Sequence, residues 1–280
     1  MTVREELARA ESRARDAAAE ATPWDARILL AHAVGHGNPL ALDPADSIPP
    51  AAASRFAELW GQRLSGVPVQ HIVGEWDFFG RPFFVDSRAL VPRPETELLI
   101  ETALAVAPGA RRVLDLGTGS GVLAVTWLAE RPGSTAVALD ASTDALALAH
   151  ANAARHDVLG RLELLAGDWT SALAARAQFD LAISNPPYLA VGDAAALPLT
   201  VRDHDPAAAL FAGEDGLDAI RRLLSELPPH VARGSPFLFE IGVGQADAVV
   251  AEVAARPAWR LERIVPDLAD IPRVAVLRLD

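Results

Sequence analysis

Arg112-Val113-Leu114-Asp115-Leu116-Gly117-Thr118-Gly119-Ser120-Gly121 is the stretch on which the fold turns. A short aliphatic run leads into three glycines at alternate positions, and a helical pattern from Gly121 to Glu130 follows. Strand, glycine-rich turn and helix in that order open a parallel α/β unit. Glycines let a backbone turn sharply and come close to a ligand, and the free amides at a helix start favour an anionic group. The spacing is D-x-G-x-G-x-G. It is not the dinucleotide fingerprint, whose last glycine would fall on Val122. It is not a nucleophile elbow either, because Thr118 and Val122 stand where glycines should flank Ser120.

The alternation continues downstream. Strand patterns at Thr135–Asp140, Leu162–Ala166, Phe179–Ser184 and Pro236–Ile241 interleave with helical patterns at Ser142–His156 and Glu214–Leu227. Strands alternating with helices predict a parallel sheet covered on both faces. Two last strands, Trp259–Val265 and Arg273–Leu279, are separated by a loop too short for a helical crossover, so they should pair antiparallel. Upstream, residues 1–74 read as a helical bundle. Val3–Ala19 is rich in Ala, Glu and Arg; Thr22-Pro23-Trp24-Asp25 is a helix start; a third helix after Pro49-Pro50 carries Phe56, Leu59, Trp60 and Leu64. Between them, Trp76, Phe78, Phe79, Phe83 and Phe84, broken by Gly80-Arg81-Pro82, predict a β-hairpin connector over 75–90. The α/β domain, 91–280, then has seven strands in a Rossmann-like sheet.

Three successive strand ends carry ligand-type residues. The glycine loop follows the first. Asp140 ends the second, about 20 residues on, where an acid in such sheets binds ribose hydroxyls. Asp168-Trp169 ends the third, an acid and a ring suited to the amine and the face of an adenine. The fourth ends in Asn185-Pro186-Pro187-Tyr188, the most specific signal in the chain. Two prolines fix a rigid turn and remove two donors. The Asn185 oxygen and a carbonyl after it can accept both hydrogens of one NH₂ group, and Tyr188 offers a flat face. Such a turn selects a planar amine or amide nitrogen and aims it at an electrophile, and positioning of that kind is a large catalytic lever.

Composition removes other chemistries. The chain has 280 residues, no cysteine, no lysine and a net charge of −12. Disulfides, thiolate nucleophiles, zinc ribbons, Schiff bases and P-loops are excluded. Residues 1–70, 71–109 and 110–280 carry −2, −3 and −7, so no segment has the basic surface of a nucleic-acid binder. No run of about 18 apolar residues suggests a membrane helix, and acids at Glu5 and Glu6 do not suit a signal peptide. A cytoplasmic protein is expected. His32 and His36 have a metal-capable spacing without a third ligand, so no metal is expected. Phe78, Phe79, Phe83 and Phe84 are expected as core, and Glu95, Glu97 and Glu101 as an acidic helix face.

The D-x-G-x-G-x-G loop followed by Asn185-Pro186-Pro187-Tyr188 resembles the S-adenosylmethionine-dependent amino-methyltransferases. That superfamily includes N6-adenine and guanine-N2 enzymes, so the two motifs leave the substrate open. Gly66-Val67-Pro68-Val69-Gln70-His71-Ile72-Val73-Gly74, Phe78-Phe79 and Leu90-Val91-Pro92-Arg93-Pro94-Glu95-Thr96-Glu97 resemble more closely the HemK/PrmC glutamine methyltransferases. The resemblance covers nearly the whole chain. It implies a bilobal enzyme that methylates the side-chain nitrogen of the glutamine in the Gly-Gly-Gln motif of class I peptide chain release factors, with the bundle helping to dock that protein. It implies cofactor contacts from Gly117, Thr118, Gly119, Ser120 and Gly121, from Asp140 at the ribose, from Asp168 and Trp169 at the adenine, and from Asn185. Asn185, Pro186, Pro187 and Tyr188 would be the catalytic and substrate-holding turn, joined by Arg93, Pro94 and Glu95. Asp205 stands where the family has Glu. Asp270 stands where it has Gly, and Asp is among the better substitutes if that position needs a positive φ. A ribosomal-protein glutamine methyltransferase and a nucleic-acid amino-methyltransferase are the alternatives. A monomer without a stable nucleic-acid partner is expected.

Overall fold

The structure is a computed structural model that describes every residue except Ala18 and Arg176. It divides into two compact units, Met1–Trp76 with Ala196–His204, and Asp77–Ala195 with Asp205–Asp280.

The first unit is helical. Helix α1 (Val3–Asp16) starts at a capping box in which Thr2 and Glu5 each accept the other's backbone N–H. The expected helix to Ala19 stops at Asp16, and Ala18 lies outside the described residues. Helix α2 (Pro23–Val34) starts the same way, with Thr22 paired to Asp25 and Pro23 in the first turn. It ends at Gly35, whose φ of 82° closes the helix left-handed. Helices α3 (Pro50–Leu64) and α4 (Val69–Val73) complete the bundle around buried Leu29, Leu30, Phe56 and Trp60. Arg63 joins Asp25 at 2.9 Å and donates to the Glu20 carbonyl, so one α3 cation holds the start of α2.

Strands β1 (Glu75–Phe78) and β2 (Arg81–Phe84) form the expected hairpin. Its tip residues Phe79 and Gly80 both have positive φ, as a two-residue primed turn requires. Phe78 and Phe83 are buried in the core of the second unit.

Helix α5 (Glu97–Val106) then leads into β3 (Arg112–Leu116), α6 (Val122–Glu130), β4 (Thr135–Asp140), α7 (Thr143–Arg155), β5 (Leu162–Ala166) and β6 (Leu181–Ser184). Short helices α8 (Leu199–Arg202) and α9 (Ala207–Leu210) precede α10 (Asp218–Glu226), β7 (Pro236–Glu240), α11 (Ala246–Ala254), β8 (Trp259–Pro266) and β9 (Pro272–Leu279). The seven strands from β3 onward form one sheet in the order β5-β4-β3-β6-β7-β9-β8. All pairs from β5 to β7 are parallel; β9 is antiparallel to both its neighbours. Alternate residues feed two cores. Val113, Ile183, Leu238 and Val276 pack with α5 and α6 on one face, while Leu114, Ala182, Phe239 and Leu277 pack with α10 and α11 on the other.

The chain runs outward from β3 through β4 to β5, then returns to the other side of β3 as β6. The strand order therefore reverses between β3 and β6, and a crevice opens there at the carboxyl ends. The glycine loop leaves β3 and the Asn185 turn leaves β6, so the two strongest motifs flank one crevice. Asp270 has φ 62°, so its position does take the left-handed conformation, in which Asp is among the better-tolerated residues. Asp267 builds that turn by accepting from the backbone N–H of Ala269 and Ile271 and from Arg273.

Candidate functional site

The loop after β3 is shaped by its glycines and held by carboxylates. Gly117, Gly119 and Gly121 have φ of 71°, 57° and 84°, a region that side chains disfavour. A Cβ on Gly121 would lie 3.0 Å from that of Ala149, so this glycine lets α6 pack on α7. Asp115 is fully buried beneath the loop; its Oδ2 accepts from the Thr118 hydroxyl at 2.6 Å and the Ala124 N–H at 3.1 Å. Burial pushes the Asp115 carboxyl up to about 7 against those two hydrogen bonds, and the nearby Asp140 charge adds to the rise. Asp140 accepts from the Gly119 N–H at 2.8 Å and the Ser142 N–H at 2.9 Å, so it shapes the loop from the next strand. Buried Asn152 on α7 fastens the back of the loop, donating to the carbonyls of Ser120 and Phe84.

A cavity of about 540 Å³ lies over this edge. Gly117, Thr118, Gly119, Ser120, Asp140, Asp168 and Trp169 line it; Gly121, expected among the cofactor contacts, does not. Asp168 does not face it free, because Arg222 on α10 donates to both its oxygens at 3.0 and 2.9 Å. Trp169 takes a left-handed φ of 51° and lies beside Gly117, where a Cβ would meet the indole at 3.6 Å.

The opposite wall is the turn after β6. Asn185 and Pro187 line the cavity, while Pro186 is buried. Ser184 donates to the Leu116 carbonyl at 2.7 Å, locking the end of β6 to the end of β3. Asn185 Nδ2 donates to the Thr96 hydroxyl at 3.1 Å, and that hydroxyl donates to Glu240 Oε2 at 2.7 Å. Asn185 Oδ1 has no hydrogen bond among the described residues and is left for the cavity. Tyr188, read from sequence as a flat face for the substrate, is outside the cavity lining; its hydroxyl donates to Glu240 Oε1 at 3.2 Å. Burial and then the Glu240 charge push the Tyr188 phenol well above its ordinary range. Gln245 clamps the backbone, donating to the Tyr188 carbonyl at 2.9 Å and accepting from the Gly242 N–H at 2.8 Å.

Of the expected substrate segment, Arg93 lines the cavity and is anchored by the buried Asp205 carboxylate at 2.7 Å. Pro94 and Glu95 are exposed and lie outside the lining, because a 3₁₀ turn over Pro94–Thr96 points Thr96 inward instead. Sequence reasoning held Thr96 only as part of the Leu90–Glu97 resemblance, with no role of its own, and passed over Arg222, Gln245 and Glu240. The signal for Glu240 was available: it is an acid closing the otherwise apolar Pro236-Phe237-Leu238-Phe239 strand. It is 1% exposed, and burial raises its carboxyl above the ordinary range. Among the described residues no cluster of His, Cys, Asp or Glu could hold a metal ion, and no helix is long and apolar enough to cross a membrane.

The chain matches two family models, a PrmC N-terminal domain over residues 5–74 and a methyltransferase small domain over residues 94–200. A release factor glutamine methyltransferase of Cereibacter sphaeroides is 47% identical over 262 residues, covering 91% of this chain and 90% of its own. Proteins of the same name from Nitratidesulfovibrio vulgaris and Bradyrhizobium diazoefficiens are 38% and 37% identical, covering 97% and 95% of this chain and 93% and 91% of theirs. Among solved structures, a Pyrococcus furiosus methyltransferase shares the fold with a TM-score of 0.54 at 16% identity, over 72% of this chain and 90% of its own. The residues at the crevice fit S-adenosylmethionine. The bare glycine backbone, the Asp140 carboxylate and the Trp169 ring border one cavity, a set of groups suited to a charged tail, ribose hydroxyls and a flat base. With such relatives over nine-tenths of its length, the chain belongs to the release factor glutamine methyltransferase family and is an S-adenosylmethionine-dependent enzyme.

Proposed function

We propose that the protein methylates the side-chain nitrogen of the glutamine in the Gly-Gly-Gln motif of class I peptide chain release factors. It acts as a cytoplasmic monomer, with no stable nucleic-acid partner. The observation that carries this reading is the Asn185 carboxamide, held by its nitrogen to Thr96 so that its oxygen is free at the cavity. When bound, the cofactor supplies an electrophilic methyl group on a sulfonium sulfur, with a neutral thioether as the leaving group. The protein has to present a nucleophile that is weak and planar. Asn185 Oδ1 and a carbonyl of the proline-fixed turn accept the two N–H hydrogens of the glutamine amide. That fixes its plane and places electron density on the nitrogen as the new C–N bond forms. The amide proton leaves after transfer, so no strong base is needed beforehand. Gly117–Ser120 hold the amino-acid tail of the cofactor, Asp140 the ribose and Asp168 with Trp169 the adenine, while Arg93 borders the substrate entrance.

The charge of −12 adds a reason for the partner: an acidic protein is attracted to a basic, ribosome-binding one. Transfer of a labelled methyl group to purified release factor tests the reading. Label should enter the factor and be lost when its motif glutamine becomes alanine. Label on ribosomes alone would overturn the substrate.

A further inference from the structure

Asn185 can face the substrate in two ways. A carboxamide turned by 180° offers an NH₂ where an acceptor is required, and the two orientations have the same shape. Something must therefore select between them, and the hydrogen-bond polarity behind Asn185 does so.

We propose that Thr96 and Glu240 are positioning residues that choose the orientation of the Asn185 carboxamide. This rests on the reading that Asn185 Oδ1 accepts from the substrate amide. The chain of contacts has one direction. Glu240 closes β7 as a carboxylate that can only accept, and it takes the Tyr188 proton at one oxygen and the Thr96 proton at the other. Thr96 has a single hydroxyl proton, committed to Glu240 at 2.7 Å, so it offers Asn185 lone pairs alone. Asn185 must answer with N–H, at 3.1 Å, and its oxygen is turned away from Thr96. The flipped amide would set oxygen against oxygen. Thr96 and Glu240 are 2% and 1% exposed, so water is not at hand to repair that clash. Neither residue touches the reacting atoms; both act through Asn185.

The test separates this role from mere packing. Thr96→Val keeps the shape and removes the hydroxyl; Thr96→Ser keeps the hydroxyl and removes a methyl. Thr96→Val should lower kcat for release-factor methylation about 10- to 100-fold, the scale of one lost buried polar partner. KM and the cofactor Kd should stay within about twofold. Thr96→Ser should hold kcat within about threefold of the parent. Should Thr96→Val fail to fold, Thr96→Ala removes the same hydroxyl without adding a methyl beside Glu240. A second readout does not depend on the substrate. The chain has only three asparagines, Asn38, Asn152 and Asn185, so ¹⁵N-asparagine labelling gives three side-chain amide pairs. The pair lost in Asn185→Ala is that of Asn185. In Thr96→Val it should shift and exchange faster with water, and in Thr96→Ser it should not. Unchanged kcat and unchanged Asn185 signals in Thr96→Val overturn the proposal. So does a Thr96→Ser variant as impaired as Thr96→Val. If the parent enzyme labels no release factor, the substrate reading fails, while the amide signals still decide the orientation claim.

Discussion

The two walls of the crevice are built on opposite principles. The wall after β3 is backbone: three glycines in a region closed to most side chains, with Asp140 accepting from the Gly119 amide, Asp115 from the Thr118 hydroxyl and the Ala124 amide, and Asn152 donating to the Ser120 carbonyl. The wall after β6 is covalently stiff: two prolines remove freedom, and distant side chains (Thr96, Glu240 and Gln245) set which atoms face the cavity. The first wall has to accommodate a ligand along its length. The second has to present one oxygen in one orientation. If that division is correct, damage to the second wall should appear in the rate and damage to the first in cofactor affinity.

The sharpest attempt to break it is Asn185→Ala. Loss of the acceptor should lower kcat about 100- to 1,000-fold, the range seen when one transition-state donor or acceptor is removed. Calorimetry should find the cofactor Kd within about threefold of the parent. A variant that binds cofactor poorly and turns over normally would show that the division is false.

On the other wall, Asp140→Ala removes the acceptor for the Gly119 and Ser142 amides and a cavity-lining carboxylate. The cofactor Kd should rise about 10- to 100-fold, as expected for lost charge-assisted hydrogen bonds, with kcat at saturating cofactor nearly kept. Gly119→Ala should do less. There is space, since the added Cβ would lie 3.7 Å from that of Ala89, so only the left-handed strain of about 1–2 kcal/mol remains. That predicts a Kd weaker by about 5- to 30-fold. Unchanged affinity in both variants would mean that the loop is scaffold, not binding surface.

The difference between the walls also explains what could be read from the sequence. Strand ends at Arg112–Leu116, Thr135–Asp140 and Leu162–Ala166 fall where the apolar patterns put them. The expected strand from Phe179 starts at Leu181 instead, because the Asp180 carboxylate turns back to accept from the N–H groups of Arg111 and Arg112. The helix expected from Glu214 starts at Asp218, because Gly216 has φ 74° and cannot continue a right-handed helix. The glycine wall was legible because its cause is local: each glycine marks its own φ. The Asn185 wall was legible only in its front. Thr96 reaches Asn185 across 89 residues and Glu240 across 144, and such pairings come from strand order, not from neighbouring sequence. Tyr188 shows the same limit. Its ring suggested a platform, but the fold turns its hydroxyl to a carboxylate that no local pattern announces.

The smallest effect is with pH, and it tests the division most finely, because each wall rests on a buried acid. Asp115 lies under the glycine loop, facing Thr118, the Ala124 amide and Asp140, and burial raises it to about 7. Glu240 lies under the Asn185 turn, facing Thr96, Tyr188, Arg273 and Glu95, and burial raises it as well. For both, the folded value stands above the unfolded one, so the protonated form is the one that folding favours. The stabilising contribution is fully present below the ordinary carboxylate value and is lost as pH rises, through about 7 for Asp115. Tm should therefore rise as pH is lowered toward 6, and Asp115→Asn should flatten that rise. The rate should move the other way. Protonated Glu240 can donate, Thr96 is then free to donate to Asn185 Oδ1, and the productive orientation is lost. A few-fold fall in kcat on the acid side is expected. It should persist in Asp115→Asn and disappear in Thr96→Val, where the link from Glu240 to Asn185 is already cut. If Asp115→Asn abolishes the acid limb and Thr96→Val keeps it, the rate is governed from the glycine wall and the division is reversed.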